Sequence, residues 1–245
     1  MRAVSRILAI LRALGPRTPQ LSLTEIAERA HLDLGTTRRM LAALIAEGMV
    51  ARDPHTRLYR LDLGLLELAG GVVEFDDLRA QAQAAVDAVA RETGATSFFG
   101  VYRDGEALCF ARAEGATIVL LRWWTLGGRM PLNCGAAPRT LLAHQPQGEI
   151  DRVLAGPLVG LTPRSEKSPA RLRRELAAIR RQGYAHAVDD VVLGVAGLAV
   201  PVLDRKGKLR GALSIAGLTP HFASSARKEL LATLRRHAEA MRKRA

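Results

Sequence analysis

Apolar residues in the opening stretch recur at helical spacing. Ile7, Leu8, Ile10, Leu11 and Leu14 make one stripe, closed by Gly15-Pro16. After a polar stretch through Gln20, Ser22-Leu23-Thr24-Glu25 has the form of a capping box. In that motif the Ser hydroxyl accepts from the backbone three residues on, and the Glu reaches back. The helix it starts runs to Ala30 and turns Leu23, Ile26, Ala27 and Ala30 inward. His31-Leu32-Asp33 breaks it, and Asp33 is a good N-cap for a third helix over 34–47, with Gly48 placed as a left-handed stop. On a wheel of about 100° per residue, Leu34, Thr37, Leu41, Leu44 and Ile45 share one side. Gly35, Thr36 and Arg39 point the other way, with Arg38 on the flank. A strand over 49–52, a turn at Asp53-Pro54-His55-Thr56 and a returning strand over 57–61 follow. Three helices and a hairpin in that order predict a winged helix-turn-helix.

Beyond it the pattern changes. A Leu-rich segment over 63–75 predicts a linker helix. A helix over 76–92, inward at Ala82, Val86, Val89 and Ala90, stops at Gly94. Strands over 96–102 and 107–113 flank Arg103-Asp104-Gly105-Glu106, where Asp-Gly is a strong hairpin signal. A third strand is expected over 118–122. Leu172, Leu176 and Ile179 mark a helix ending at Gly183, strands over 198–203 and 209–216 form another hairpin, and a basic helix from Ser224 comes last. Antiparallel strands flanked by helices predict an α+β domain. The expected organisation is therefore a winged helix-turn-helix over 1–62, a linker helix over 63–75 and a larger domain over 76–245.

Composition narrows the function classes. The chain has 245 residues, 48% of them apolar, enough for a good core. No apolar run approaches the roughly 20 residues that span a bilayer, so no membrane association is expected. Met1-Arg2-Ala3-Val4 leads into amphipathic spacing and not into a signal peptide's apolar core, which points to the cytoplasm. The two cysteines, Cys109 and Cys134, lack metal-ligand spacing and fit a reducing compartment. Neither metal nor cofactor is expected. The net charge is +12; residues 1–61 hold ten Arg, no Lys and five acidic residues, giving +5 in a quarter of the chain. Such a charge attracts polyanions without distinguishing DNA, RNA and membrane.

The third helix supplies the distinction. Small residues at its leading end permit close approach to a duplex, and an outward Arg can donate two bonds to guanine O6 and N7. Arg52, Arg57 and Arg60 on or near the wing are placed for phosphates. The candidate DNA-contacting set is Ser22, Thr24, Gly35, Thr36, Arg38, Arg39, Arg52, Arg57 and Arg60. Cys134, with His144 and His186 in the same domain, superficially suggests a thiol nucleophile. No acidic residue stands out to orient either His, and a small buried Cys is far commoner, so no catalysis is expected. Trp123-Trp124 suits either a stacking or dimer surface or simple packing.

Motifs along nearly the whole chain resemble the IclR family of bacterial regulators. They include Arg6-Ile7-Leu8, Leu21 to Ala27, Thr36-Thr37-Arg38-Arg39-Met40-Leu41, Glu47-Gly48-Met49-Val50, Tyr59-Arg60-Leu61 and Leu65 to Ala69. Gly128 to Cys134, Ala136-Ala137-Pro138-Arg139, Leu141-Leu142-Ala143, Arg180 to Tyr184, Asp189-Asp190, Gly194-Val195, Ala199 to Val202 and Ala212 to Gly217 follow in the family's order. The chain departs from the pattern at His31 (commonly Gly), Asp33 (often Pro), Pro138 (usually Gly) and Asp189-Asp190 (usually a Glu pair). The resemblance implies a GAF-like ligand domain with an effector pocket at Ala136, Ala137, Asp190, Gly197 and Ser214. It further implies a small organic acid or aromatic catabolite as effector. The first helix and the linker over 65–72 carry more apolar surface than one small domain can hide, so self-association to a dimer or tetramer is expected, and with paired recognition helices an operator DNA of dyad symmetry. Two rivals remain: a winged helix whose second domain only dimerises, and an enzyme with a basic surface.

Overall fold

A computed structural model describes residues 2–15, 18–71, 76–116 and 124–243, and the chain divides into two compact units, Met1–Asp76 and Asp77–Ala245. The first holds α1 (Arg2–Ala13), α2 (Leu23–Ala30), α3 (Leu34–Ala46), the strands β1 (Val50–Arg52) and β2 (Tyr59–Leu61), and α4 (Gly64–Gly70). Its core joins Ile10 and Leu14 of the first stripe to Leu21, Ile26, Leu41, Leu44, Val50 and Tyr59. Leu21 and Tyr59 exchange both backbone bonds, at 3.1 and 2.8 Å, which ties the segment before α2 to the hairpin. The capping box at Ser22 is formed with both of its bonds. Asp33 caps α3 by accepting from the Thr36 amide at 2.8 Å. Gly48 takes φ +66°, and a Cβ on Gly64 would meet its carbonyl oxygen at 2.7 Å, so these two glycines allow α4 to start against the end of α3.

The second unit holds α5 (Asp76–Thr93), β3 (Thr96–Arg103), β4 (Glu106–Ala113), β5 (Arg129–Pro131), α6 (Ala136–Ala143), α7 (Gln147–Ala155), α8 (Pro169–Gln182), β6 (Ala185–Val188), β7 (Val195–Leu203), β8 (Leu209–Leu218) and α9 (Ser224–Lys243). The strands form one sheet in the order β5-β4-β3-β8-β7-β6, every neighbouring pair antiparallel. The period of two sends successive side chains to opposite faces. Leu198, Val200 and Val202 of β7 pack with Leu78, Ala82, Val86 and Val89 of α5 and Leu230, Leu234 and Met241 of α9. Ala199, with Phe98 of β3, faces α6, Ile150 and Leu154 of α7, and Leu172, Leu176 and Ile179 of α8. The sheet thus lies between two helical layers, an α+β arrangement. The strand expected over 118–122 falls outside the described residues, as do 72–75 of the expected linker helix. The sequence pattern missed β5, β6 and α7, which are three, four and nine residues long. The two strands are too short for alternation to register, and β5 is placed only by its pairing with β4.

Candidate functional site

In the first unit, α3 is not oriented as the wheel predicts. Thr37, Leu41 and Leu44 are buried as expected, but Leu34 is 50% exposed and Ile45 39%, whereas Thr36 is only 9% exposed. The buried face is rotated about the helix axis toward Met40 and Thr36. The Thr36 Oγ1 accepts from the Arg39 guanidinium one turn on, at 3.2 Å. Thr36 therefore leaves the outward set and Arg38, expected on the flank, joins Gly35 and Arg39 on the exposed side. Ser22 uses its hydroxyl locally, donating to Glu25 Oε2 at 2.7 Å while accepting from the Glu25 amide, whereas Thr24 is exposed. On the hairpin, Arg52, Arg57 and Arg60 are all exposed. Arg52 is held by the Arg57 carbonyl at 3.3 Å and lies 5.2 Å over the Tyr59 ring, and Arg57 itself adopts φ +60°.

In the second unit the five pocket candidates surround one cavity. Ala136, Ala137, Asp190, Gly197 and Ser214 line it together with Phe98, Trp124, Met130, Pro138 and Val191. The centre of a water-sized sphere has about 50 Å³ there, room for a few water-sized groups when one needs roughly 10–15 Å³. Phe98 and Trp124 stack at 5.6 Å, and the Trp124 indole donates to the Gly128 carbonyl at 3.0 Å. Gly100 is required beneath them, since a Cβ there would meet the Trp124 ring at 2.6 Å. Of the tryptophan pair, Trp124 is therefore a cavity wall, and Trp123 lies outside the described residues.

At the foot of the cavity is a buried polar network that sequence reasoning did not find. Asp190 Oδ2 accepts from the Gly135 amide at 2.7 Å and from the Arg139 guanidinium at 2.8 Å. Arg139 donates also to Glu175 of α8 at 2.6 Å and to the Asn133 carbonyl at 2.9 Å. Ser165 anchors the Asp190 carbonyl at 2.7 Å. Asp190, one of the five candidates, is thus a buried, paired carboxylate. The signal for Arg139 was a single cation inside Ala136-Ala137-Pro138-Arg139-Thr140-Leu141-Leu142-Ala143, every residue of which is buried. A buried cation needs partners, and these come from the Asn133 carbonyl just before α6 and from two distant segments, at Glu175 and Asp190. The α6 N-terminus has no side-chain cap. Pro138 carries no amide hydrogen, and among the described residues nothing accepts from the Ala136 and Ala137 amides. Ser214, 4% exposed, has its hydroxyl 3.4 Å from the Phe98 carbonyl.

The thiol–imidazole grouping considered for Cys134 is not formed. Its Sγ donates to the Val159 carbonyl at 3.3 Å, and burial pushes the thiol above its ordinary pKa. The His144 ring bonds the Thr140 carbonyl at 2.9 Å. Among the described residues no group of His, Cys, Asp and Glu is arranged to hold a metal ion.

Comparison with known proteins agrees with the two-unit division. Residues 3–54 match the model of the IclR helix-turn-helix domain, and residues 71–243 match that of the bacterial transcriptional regulator IclR C-terminal. The chain is 30% identical over 220 residues to the glycerol operon regulatory protein of Streptomyces griseus, covering 89% of this chain and 85% of the relative. With the regulator XynR of Escherichia coli (strain K12) it shares 29% identity over 89% of this chain and 87% of that one. Two crystal structures share its architecture. The IclR transcriptional regulator of Alicyclobacillus acidocaldarius superimposes with a TM-score of 0.88 at 27% identity, covering 99% and 98% of the two chains. An IclR homolog of Microbacterium hydrocarbonoxydans complexed with 4-hydroxybenzoate gives 0.85 at 25%, covering 98% and 97%. With the two family models matched over residues 3–54 and 71–243, the chain belongs to the IclR family of bacterial transcriptional regulators.

Proposed function

We propose that this protein binds operator DNA through the leading end of α3, and that a small molecule in the cavity beside Asp190 modulates that binding. The observation that carries the first half is the exposed Gly35–Arg38–Arg39 surface on a helix whose opposite face is core. A small residue and two cations at a helix start fit a major groove, and the hairpin arginines suit flanking phosphates. Exposed Val4 and Leu8 on α1, and Leu66 and Leu68 on α4, supply apolar surface for self-association to a dimer or tetramer. A two-fold dimer predicts an operator of dyad symmetry with half-sites about one helical turn, or a multiple of it, apart.

The second half is supported by the cavity and by the homolog crystallised with 4-hydroxybenzoate. The effector belongs to the organic-acid or aromatic class, and it regulates by binding the DNA-competent and DNA-incompetent states unequally. The test is selection of bound duplexes from a random pool by the purified full chain, followed by footprinting and titration with small acids and aromatics. A dyad-symmetric site whose affinity shifts severalfold with one compound class is expected. Sequence-independent binding that no compound alters would overturn the proposal.

A further inference from the structure

The helix α8 carries five arginines and one acidic residue, Glu175. Its buried stripe is Leu172, Leu176 and Ile179. On the opposite side Ala170, Arg174, Ala177 and Arg181 form an exposed row, with Arg180 exposed on its flank. The nearby carboxylates are taken: Glu175 pairs with Arg139, Asp151 with Arg173 and Glu166 with Arg171. Arg174, Arg180 and Arg181 make no hydrogen bond or ion pair among the described residues. The helix dipole favours cations in the last turn but gives no reason for Arg174, in the middle of the helix. Where α8 ends, Arg235 of α9 donates to the Gln182 carbonyl at 3.1 Å and lies 5.8 Å from the Tyr184 ring centre. A fourth exposed cation is thereby fixed at the end of the row.

Clustered, unneutralised charges of one sign attract a polyanion. Two features favour nucleic acid over an acidic protein. The face has no apolar centre of the kind protein interfaces bury, only Ala170 and Ala177 among arginines. Its cations are all arginine, whose planar fork can donate two parallel bonds to a phosphate. Arg174 to Arg181 spans about 10 Å of helix, and a duplex carries one negative charge per ~1.7 Å of axis, so the row can meet several phosphates. From this juxtaposition we infer that the outer face of α8, ended by Arg235, binds the backbone of duplex DNA flanking the operator. The second unit then adds a hold on DNA that reads no sequence. The inference rests on the chain binding operator DNA, as proposed above, and adds a second surface to that reading.

The test compares two duplexes, one just covering the selected operator's footprint and one with about two further helical turns on each side. The full chain is titrated with both over a range of salt, as wild type and as the triple variant Arg174→Gln, Arg180→Gln, Arg181→Gln. Wild type should bind the longer duplex at least tenfold more tightly at low salt, and with a steeper salt dependence. The variant should match wild type on the short duplex and lose most of the gain on the longer one. Its salt slope there should fall by about 2–3, near 0.9 for each phosphate contact removed. Charge-matched polyglutamate should displace the longer duplex at least tenfold less well than unlabelled duplex does. Equal wild-type affinity for both duplexes needs no variant to measure, and it overturns the inference while leaving operator binding in place. Equal salt slopes for wild type and a folded variant do the same. So does polyglutamate competing as well as DNA, which would make the face a site for an acidic protein. If no duplex is selected at all, the underlying reading falls and this inference with it.

Discussion

Asp190 Oδ2 and the Arg139 guanidinium lie 2.8 Å apart, with 6% and 7% of their side chains open to solvent. The pair links the β6–β7 loop to α6, and through Glu175 to α8. Burying two charges carries a desolvation cost that the pair's own attraction only partly offsets, so the arrangement is strongest as a constraint on geometry. Removing one partner leaves the other charged, buried and uncompensated.

Arg139→Met is therefore expected to destabilise the second unit by about 3–5 kcal/mol. Urea unfolding followed by circular dichroism measures this as a lower midpoint. Adding Asp190→Asn to Arg139→Met should recover part of the loss, because the orphaned charge is gone. Strictly additive effects of the two substitutions would show that the pair is not coupled.

His31 closes α2 in the left-handed region, at φ 54° and ψ 47°. The family resemblance implies Gly at this position. For a residue with a Cβ that conformation costs roughly 1–2 kcal/mol, of which Gly's greater freedom in the unfolded chain offsets part. His31→Gly should raise stability by about 0.5–1 kcal/mol, and His31→Val should lower it. Denaturant midpoints decide the matter, and an equal loss from both variants would contradict the strain assignment.

Acid should weaken the first unit through its turn carboxylates. The Ser22 amide holds Glu25, the Thr36 amide holds Asp33, and the Thr56 and His55 amides hold Asp53, each below its ordinary pKa. Because the folded values are the lower ones, their stabilisation is complete above the unfolded range near about pH 4. It is lost as pH falls through the folded values. The contribution of these three carboxylates to unfolding stability should be constant above about pH 5 and decline below about pH 4. Asn caps a helix as well as Asp does, so Asp33→Asn should keep neutral-pH stability and flatten the acid decline.

The cysteines should be inert in the native protein. Burial pushes Cys109 up to about 12 and raises Cys134 as well, so little thiolate exists at neutral pH. Reaction with a thiol-specific disulfide reagent at pH 8 should be slow and should accelerate when urea unfolds the chain. Rapid native labelling of Cys134 would instead return the thiol-nucleophile reading to consideration.

Arg39 is held against the Thr36 hydroxyl at 3.2 Å, and Arg38, exposed beside it, has no such tether. If Arg39 reads a base, Arg39→Ala should cost about 1–3 kcal/mol in operator affinity and relax specificity at one position. Arg38→Ala, as a phosphate contact, should weaken all sequences alike and lower the salt slope by about 1. Anisotropy titrations against single-base operator variants separate the two patterns.

Local features were legible from residue order because their causes lie within a few positions along the chain. The Ser22–Glu25 box, the Asp33 cap, the positive-φ stops at Gly48 and Gly183 and the Asp104-Gly105 turn each depend on neighbours no more than a turn away. The periodic helices α1, α2, α5 and α8 were legible for the same reason. The five cavity positions came from the family resemblance. The face α3 buries, the short strands β5 and β6, the aromatic wall and the Arg139–Asp190 pair depended on tertiary contacts. Asn133, Arg139, Glu175 and Asp190 meet across as many as 57 positions, counted from their numbers. No periodicity encodes such a meeting. It arises only when the sheet and its helical layer exclude water from a charge, so that each buried polar group must find its partner wherever the fold brings one.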